Sequence, residues 1–166
     1  MVQHFSPILT DQLRELAGSA NRRYRVYPMQ LGKKRRIIEA PDAELKTFQR
    51  ILLDTVLYLA TPTPWAHGFV PGRSVQTNAA PHCKQPWILN MDIKDFFPSI
   101  KFSRVLRVMR ALPTPWRITE EEAHLLTKVV MRKGQLPQGA PTSPHLANLV
   151  SRTLDWRLAA LSRQMG

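Results

Sequence analysis

Residues 90–100 read NMDIKDFFPSI, a short stretch with two aspartates followed by two phenylalanines. An apolar run at 87–89 precedes it, and the pattern predicts a strand that ends near Asp92 and carries its carboxylate into a cleft. The apolar neighbours of this aspartate are expected to be buried: Ile88, Leu89 and Ile93. A carboxylate beside a core needs a cation, hydrogen bonds or a proton. Mg²⁺ is one solution, because it prefers carboxylate oxygens together with substrate phosphates. An aspartate that only caps the following turn is the alternative.

The charge balance of the chain indicates a class of partner. Its 166 residues carry 24 Lys and Arg against 12 Asp and Glu, a net charge of +12, and the pI is about 10.7. A pI above ~9 is typical of a nucleic-acid binder. A basic solvated surface or an acidic protein partner would carry the same charge. The hydrophobic fraction of 43% is enough for a core in one domain, or in a large part of a bigger one.

Cysteine usage and hydropathy bear on the compartment. Cys83 is the single cysteine, so an internal disulfide and a cysteine-rich metal site are excluded. A reducing cytoplasm fits this usage. No apolar run reaches the ~18 residues of a membrane span, and the N-terminus lacks a signal-peptide pattern. We therefore predict a cytoplasmic protein without a membrane partner.

Periodicity and capping residues predict a mixture of helices and one hairpin. Asp42 can cap the helix that follows it, Thr119 and Glu122 form a T-x-x-E capping box, and Ser143 followed by Pro144 can begin a last helix. The predicted elements are a helix at 8–17, two strands within 24–39 around a turn at Gly32, and helices at 42–60, 103–112, 120–132 and 144–162.

Three segments could carry chemistry. The hairpin tip GKKRR, at 32–36, suits phosphate contacts. A run of solvated charges, or a charged sheet edge that prevents aggregation, would have the same sequence pattern. In the loop LPQGAPTSP, at 136–144, Gly139 would allow close approach to a ligand and Gln138 offers an amide, but the loop could simply lead into a helix. The two phenylalanines after Asp95 could contact a nucleotide sugar, and for Phe96 core packing is favoured.

The order of these motifs resembles the reverse transcriptases of bacterial retrons and their close relatives. A basic hairpin is followed by HGFVPGRS at 67–74, by NAxxH (Asn78, Ala79 and His82), by LNMDIKDFFPSI at 89–100 and by LPQGAPTSPHLANLV at 136–150. The NAxxH signature points to retrons over group II intron enzymes. The resemblance extends from about Tyr24 to Leu158.

The resemblance implies an α+β fold, a right hand with fingers, palm and thumb, in which helices pack on a small antiparallel sheet. Residues 1–166 would form one reverse transcriptase N-terminal region. About 1–86 would be mainly fingers, and about 87–166 a partial palm with some finger elements. The implied activity is RNA-directed DNA polymerisation from a primer. The implied partners are an RNA template, a primer and deoxynucleotides, and a role in phage defence is suggested by the family alone.

The resemblance also assigns roles to individual residues. Asp92 matches the catalytic aspartate that binds two Mg²⁺ ions, with the backbone carbonyl of Ile93 as a further ligand. The residues matched to the nucleotide site are Arg36, Lys34, Asp95, Phe97, Gln138 and Gly139. Among these, Phe97 would screen against ribonucleotides. The residues matched to nucleic-acid contacts are Lys33, Arg35, Arg73, Asn78 and His82.

The sequence departs from the family pattern at the other catalytic carboxylates. The family carries an adjacent pair in a Y-x-D-D hairpin, whereas no two of the six aspartates here are adjacent: Asp11, Asp42, Asp54, Asp92, Asp95 and Asp155. We do not expect Asp155, inside a predicted helix, to substitute. The expectation is an N-terminal part that is inactive alone, either a natural half of a split enzyme or a truncated product. It would be completed by a C-terminal polypeptide carrying the Asp-Asp hairpin and thumb, or would self-associate. A non-catalytic nucleic-acid-binding module derived from such an enzyme is the alternative.

Overall fold

The structure, a computed structural model, describes residues 7–32 and 34–165. Within these residues the chain forms seven α-helices and two strands. The helices are α1 (Pro7–Ser19), α2 (Ala43–Thr55), α3 (Val75–Ala79), α4 (Phe96–Ser99), α5 (Phe102–Arg110), α6 (Glu120–Val130) and α7 (Ser143–Met165), and the strands are β1 (Tyr24–Leu31) and β2 (Lys34–Pro41). Short 3₁₀ turns follow α1, α2 and α3, at Ala20–Arg22, Leu57–Leu59 and Ala80–His82.

The sheet is a single antiparallel hairpin within the described residues. Its register runs from Tyr24 opposite Pro41 to Leu31 opposite Lys34. Gly32 lies at the turn with φ +59°, a left-handed conformation that glycine adopts without steric cost. The predicted hairpin and the α+β fold class are confirmed.

Local capping explains where several helices begin. The Asp42 carboxylate accepts a 2.9 Å hydrogen bond from the Leu45 N–H at the start of α2. Thr119 and Glu122 form the predicted reciprocal box at α6, with bonds of 2.7 and 3.2 Å. α7 begins at Ser143, as predicted. These side chains satisfy backbone donors that a helix start leaves without partners.

The core is formed by buried side chains from α1, α2, α5, α6 and the start of α7. Helix α6 contacts both α1 and α5, and α5 contacts α7. The largest fully buried apolar side chains come from these helices and the segments that join them: Leu45, Leu57, Ile100, Val105, Met109, Leu126, Val129, Val130, Leu136 and Leu146. Within the part of the chain that the structure describes, no helix is long and apolar enough to cross a membrane.

A buried polar link joins the hairpin to the helices. The Gln49 amide on α2 is fully buried, and its Nε2 donates to the Tyr24 hydroxyl (2.9 Å) and to the Val129 carbonyl (2.8 Å). Because Val129 lies in the last turn of α6, its carbonyl has no partner within the helix. Gln49 therefore caps α6 and fixes the start of β1 at the same time. Burial raises the pKa of Tyr24 to about 12, so this hydroxyl stays protonated.

The sequence predicts a strand that ends near Asp92, and the structure shows that this prediction is wrong. Residues 86–93 have no regular secondary structure, and Trp87, Ile88, Leu89 and Ile93 are 90%, 63%, 79% and 47% exposed. The apolar composition predicted burial, but none of the described residues supplies a neighbouring strand or a covering layer for this segment. An extended segment forms a strand only when another pairs with it.

Candidate functional site

The loop before α7 lies directly against strand β2. The Glu39 N–H donates a 2.8 Å hydrogen bond to the Gln138 carbonyl. Gly139, at φ +136°, is so close to the strand that an added Cβ would lie 3.0 Å from the Glu39 carbonyl oxygen and 3.1 Å from Cγ2 of Ile38. The sequence suggested that this glycine allows approach to a ligand. The structure shows that it also allows close approach to β2.

An ion pair also fixes this part of the hairpin. The Arg132 guanidinium pairs with the Glu39 carboxylate, and both side chains are largely buried. The guanidinium carbon also lies 5.9 Å from the centroid of the Tyr24 ring. A pair shielded from water and supported by an aromatic ring constrains the strand more than an exposed pair would. The hairpin and the Gln138–Gly139 loop thus form one unit.

The cations predicted for phosphate contacts belong to this unit. Arg36 lies on β2 three residues before Glu39, and the side chains of Arg35 and Arg36 are exposed. Neither makes an ion pair with any described residue. Lys33 lies outside the described residues, as does the side chain of Lys34. The two described arginines therefore have no carboxylate partner among the described residues and are free to contact an anion at the hairpin.

Asp92 and Asp95 lie on an exposed turn that leads into α4. Both are exposed. Asp95 adopts a left-handed conformation, φ +50° and ψ +45°, that aspartate tolerates better than most residues. Its carbonyl accepts a 2.9 Å hydrogen bond from the Ser99 N–H. No described side chain donates a hydrogen bond to either carboxylate, so both can accept ligands.

The two phenylalanines that follow are partly committed to the core. The rings of Phe96 and Phe97 lie 5.9 Å apart in a tilted arrangement, and both pack against the core while remaining half-buried. Core packing of Phe96, which the sequence favoured, is confirmed. Phe97 keeps a partly exposed ring two residues beyond Asp95.

The described residues do not form a complete metal site. They contain no group of three His, Cys, Asp or Glu side chains that could hold a metal ion. Asp92 and Asp95 are two carboxylates on one turn, whereas two-metal sites hold their ions ~3.5–4 Å apart among several carboxylates. A complete site would need ligands beyond this arrangement.

A long loop at 61–73 is fastened along α7. The Thr63 hydroxyl donates a 2.6 Å hydrogen bond to Asp155, and the Trp65 and Trp156 rings meet edge to face at 4.7 Å. Asp155 lies in α7, as predicted, and this bond gives it a structural role. The Asn148 amide closes the contact with a 2.9 Å bond to the Gly68 carbonyl.

The remaining residues matched to nucleic-acid contacts lie at the end of this loop and directly after it. Nη1 of Arg73 donates to the Thr63 carbonyl at 2.6 Å and to that of Ala66, so the arginine holds the loop closed. Asn78 and His82 are exposed, on α3 and on the 3₁₀ turn after it. Neither side chain makes a hydrogen bond with the described residues. They remain free to bind a ligand, but no described contact joins them to Asp92.

Sequence reasoning missed the buried polar residues that assemble this framework. His145 is 3% exposed, and its Nε2 bonds the carbonyls of Leu57 (2.9 Å) and Ala60 (3.1 Å). Burial lowers the pKa of His145, outweighing these two bonds. The sequence does carry a signal for these residues. His145 lies one residue before Leu146, and Gln49 lies among the apolar positions of α2, so both fall on helix faces that are predicted to be buried. A polar residue on a buried helix face needs a partner.

A family model and individual relatives both match this chain, and they agree with one another. A family model described as reverse transcriptase (RNA-dependent DNA polymerase) matches residues 28–161. The chain is 40% identical over 145 residues to the retron Mx65 reverse transcriptase of Myxococcus xanthus, covering 79% of this chain and 34% of that protein. It is 37% identical over 162 residues to the retron Ec86 reverse transcriptase of Escherichia coli, covering 96% of this chain and 49% of that protein. The chain thus spans between a third and a half of the length of these relatives.

Proposed function

Because the chain belongs to the reverse transcriptase (RNA-dependent DNA polymerase) family, we propose that it supplies the fingers and part of the palm of an RNA-directed DNA polymerase. About 1–86 would be mainly fingers and about 87–166 partial palm. The observation that carries the proposal is the contact between β2 and the Gln138–Gly139 loop. The family pattern assigns both segments to the incoming nucleotide. They are far apart in sequence, and this contact joins them into one unit.

In this proposal the unit binds a deoxynucleoside triphosphate. Arg36 and Lys34 contact the triphosphate, since guanidinium and ammonium groups pair with phosphate oxygens. Gln138 and Gly139 lie along the nucleotide, and Asp95 lies beside the triphosphate. The half-buried ring of Phe97 is fixed by the core. A rigid ring can exclude a 2′-hydroxyl that a mobile side chain would accommodate.

Members of this family generally use Mg²⁺, which neutralises charge on the phosphates during nucleotidyl transfer. Asp92 and the carbonyl of Ile93 are the proposed ligands from this chain. The remaining carboxylates would come from a C-terminal polypeptide carrying an Asp-Asp hairpin and thumb. Self-association is the alternative route to a complete site.

The proposed template contacts lie on the hairpin tip, at the end of the 61–73 loop and on the segment after it. Lys33 and Arg35 would contact the backbone of an RNA template or primer, together with Arg73, Asn78 and His82. With a net charge of +12, phosphate contacts would supply most of the affinity. We place this function in the bacterial cytoplasm, because both relatives are bacterial proteins.

Primer extension tests the proposal. Residues 1–166 alone should not extend a primer on an RNA template with Mg²⁺ and deoxynucleotides. Adding the C-terminal half of the E. coli retron relative, or the polypeptide encoded downstream of the Gly166 codon, should restore extension. In the restored mixture Asp92→Asn should abolish extension, because the change removes the charge and keeps the shape.

Two matched variants act as controls. Asp54→Asn alters an exposed aspartate on α2, and Asp155→Asn keeps an acceptor for the Thr63 hydroxyl. Both should retain most of the activity. Extension by the pure chain would contradict the incomplete site, and full activity of Asp92→Asn would contradict the role of Asp92.

A non-catalytic RNA-binding module is the second candidate. The net charge of +12 supports it, because phosphate contacts supply affinity for RNA without a metal site. RNA binding that persists while no C-terminal polypeptide restores extension would select this function.

A further inference from the structure

Phe69, within the 61–73 loop, has its backbone in a left-handed conformation, with φ +59°. A bulky side chain seldom adopts this conformation, because its Cβ crowds the following carbonyl oxygen. The residue is 74% exposed, so its ring gains little from burial. Glycine or asparagine would give the loop the same backbone at a lower cost. Strain without compensating burial is a feature of binding sites, and it indicates that the ring serves a ligand.

The backbone on both sides of Phe69 is held in place. On one side, the Gly68 carbonyl accepts the 2.9 Å hydrogen bond from the Asn148 amide of α7. On the other side, the Arg73 N–H donates a 3.1 Å hydrogen bond to the Val70 carbonyl and closes a turn. The exposed ring is therefore carried by a segment that is already ordered, so binding a ligand would cost little loss of loop freedom.

Free polar groups lie on the helix that is fastened to this loop. Nδ1 of His67 lies 2.9 Å from the Thr77 hydroxyl, a contact that joins the loop to α3. Asn78 follows Thr77, and His82 lies on the 3₁₀ turn after α3. Both are exposed, and neither side chain makes a hydrogen bond with the described residues. An amide and an imidazole both donate and accept hydrogen bonds, as the edges of nucleobases do.

The sequence around the loop carries no negative charge. Residues 55–91 contain no Asp or Glu, and the net charge of the whole chain is +12. Asp155 reaches the loop from α7, but it is bound by the Thr63 hydroxyl, six positions before Phe69. A phosphate backbone can approach such a segment without repulsion from its own side chains.

From these observations we propose that Phe69 stacks on an unpaired base of single-stranded RNA. Asn78 and His82 would bond base edges beside it, and the basic surface would hold the phosphates. RNA is favoured over a protein partner, because a basic segment with free hydrogen-bonding groups matches phosphates and base edges. Stacking of this kind is tolerant of sequence, since every base has a flat π-face.

This contact deepens the proposed RNA binding and rests on it, because it adds a base contact to the contacts with the RNA backbone. It does not depend on polymerase activity. Phe69 would bind the same base if the chain were a non-catalytic module.

Fluorescence anisotropy with the full 166-residue chain tests the contact without Mg²⁺ or nucleotide. The probe is a labelled single-stranded RNA of about 12 nucleotides, and the control probe is an abasic strand with the same number of phosphates. Phe69→Ala should weaken binding of the RNA about tenfold. It should leave binding of the abasic strand unchanged, because the substitution removes a ring and no charge. Reversing the charges of Lys34 and Arg36 should weaken binding of both strands.

Further substitutions separate stacking from other roles of the ring. Phe69→Trp and Phe69→Tyr keep an aromatic face and should bind RNA within about threefold of the unsubstituted chain. Phe69→Leu keeps an apolar side chain without a ring and should lose binding as Phe69→Ala does. Phe69→Asn should also lose binding, yet its urea midpoint should be no lower, because asparagine tolerates the left-handed conformation. Val75→Ala shortens an apolar side chain on α3 that is 85% exposed, and it is the control that should keep RNA binding.

The outcomes distinguish this contact from the function on which it rests. A chain that binds neither strand would overturn RNA binding and the contact together. RNA binding that Phe69→Ala leaves unchanged, or that it weakens equally for the abasic strand, would overturn the contact alone. Full binding by Phe69→Leu would do the same, since a ring would not be needed. A lower urea midpoint of Phe69→Asn would assign its loss of binding to the fold. A dimer that Phe69→Ala dissociates, with RNA binding kept, would place the ring between two copies.

Discussion

The backbone N–H of Glu39 donates a 2.8 Å hydrogen bond to the carbonyl of Gln138, 99 positions further along the chain. This bond joins the cationic hairpin to the loop before α7. Gly139 makes the close approach possible, because an added Cβ would meet the Glu39 carbonyl oxygen at 3.0 Å.

Gly139→Ala should disrupt the contact between β2 and the loop before α7. Two costs combine, a backbone at φ +136° that alanine adopts poorly and a clash with the backbone of β2. We expect a loss of about 2–3 kcal/mol in the free energy of unfolding, measured from urea midpoints. Gly134→Ala is the matched control, because its φ is also positive (+74°) but no atom lies within 4 Å of an added Cβ. Equal losses in the two variants would show that packing on β2 contributes nothing.

Gln49→Leu should destabilise the chain although it adds an apolar side chain to the core. It would leave the Val129 carbonyl and the Tyr24 hydroxyl without their buried partner. An unsatisfied buried polar group costs about 1–3 kcal/mol. The exposed Arg50→Leu on the same helix should change stability by less than about 0.5 kcal/mol. If thermal unfolding of Gln49→Leu matches that of the control, the link to α6 and β1 is not stabilising.

Acidification should destabilise the fold through His145. Its folded pKa lies below the ordinary value of 6.5, because burial disfavours the charged ring. Below that ordinary value the unfolded chain therefore binds a proton that the folded chain refuses, so stability falls as pH falls from neutrality towards the folded pKa. A single proton gives a slope of at most about 1.4 kcal/mol per pH unit.

The variant that checks this is His145→Gln, which can still donate to the carbonyls of Leu57 and Ala60. Its free energy of unfolding should be lower at neutral pH and should depend less on pH between about 7 and 5. An unchanged slope in urea titrations would assign the acid sensitivity to other groups.

Binding to RNA should fall steeply as salt rises, because phosphate contacts release counterions. Reversing the charges of Lys34 and Arg36 should weaken binding and flatten the salt dependence. Arg22→Glu with Arg50→Glu changes the net charge equally and should have a smaller effect. Affinity that is insensitive to the hairpin reversal and flat between low and moderate salt would contradict a phosphate role for the hairpin.

Much of the fold could be predicted because its signals are local. The Thr119–Glu122 box, the Asp42 cap and the turn at Gly32 each depend on residues within four positions of one another. Such contacts are specified by short motifs, and the structure confirms them. The cationic hairpin and the loop before α7 were likewise identifiable from composition.

The features that the sequence did not show have a common physical cause, because they concern partners that are distant in sequence. The run at 86–93 is apolar enough for a buried strand, but its conformation depends on a neighbour that the run itself does not encode. Arg73 is one more cation in the sequence, yet its position is set by the carbonyls of Thr63 and Ala66. The contact of Gly139 with β2 likewise spans about a hundred residues.

The fastening of the 61–73 loop to α7 has a mechanical consequence. Thr63, Trp65 and Gly68 are held by Asp155, Trp156 and Asn148, over about two turns of one helix. The loop and the helix therefore move as one rigid body, and α3 follows directly at the end of that loop. Any rotation of α7 is transmitted as a displacement of Asn78 and His82. A partner that binds α7 would thus displace residues that it never touches.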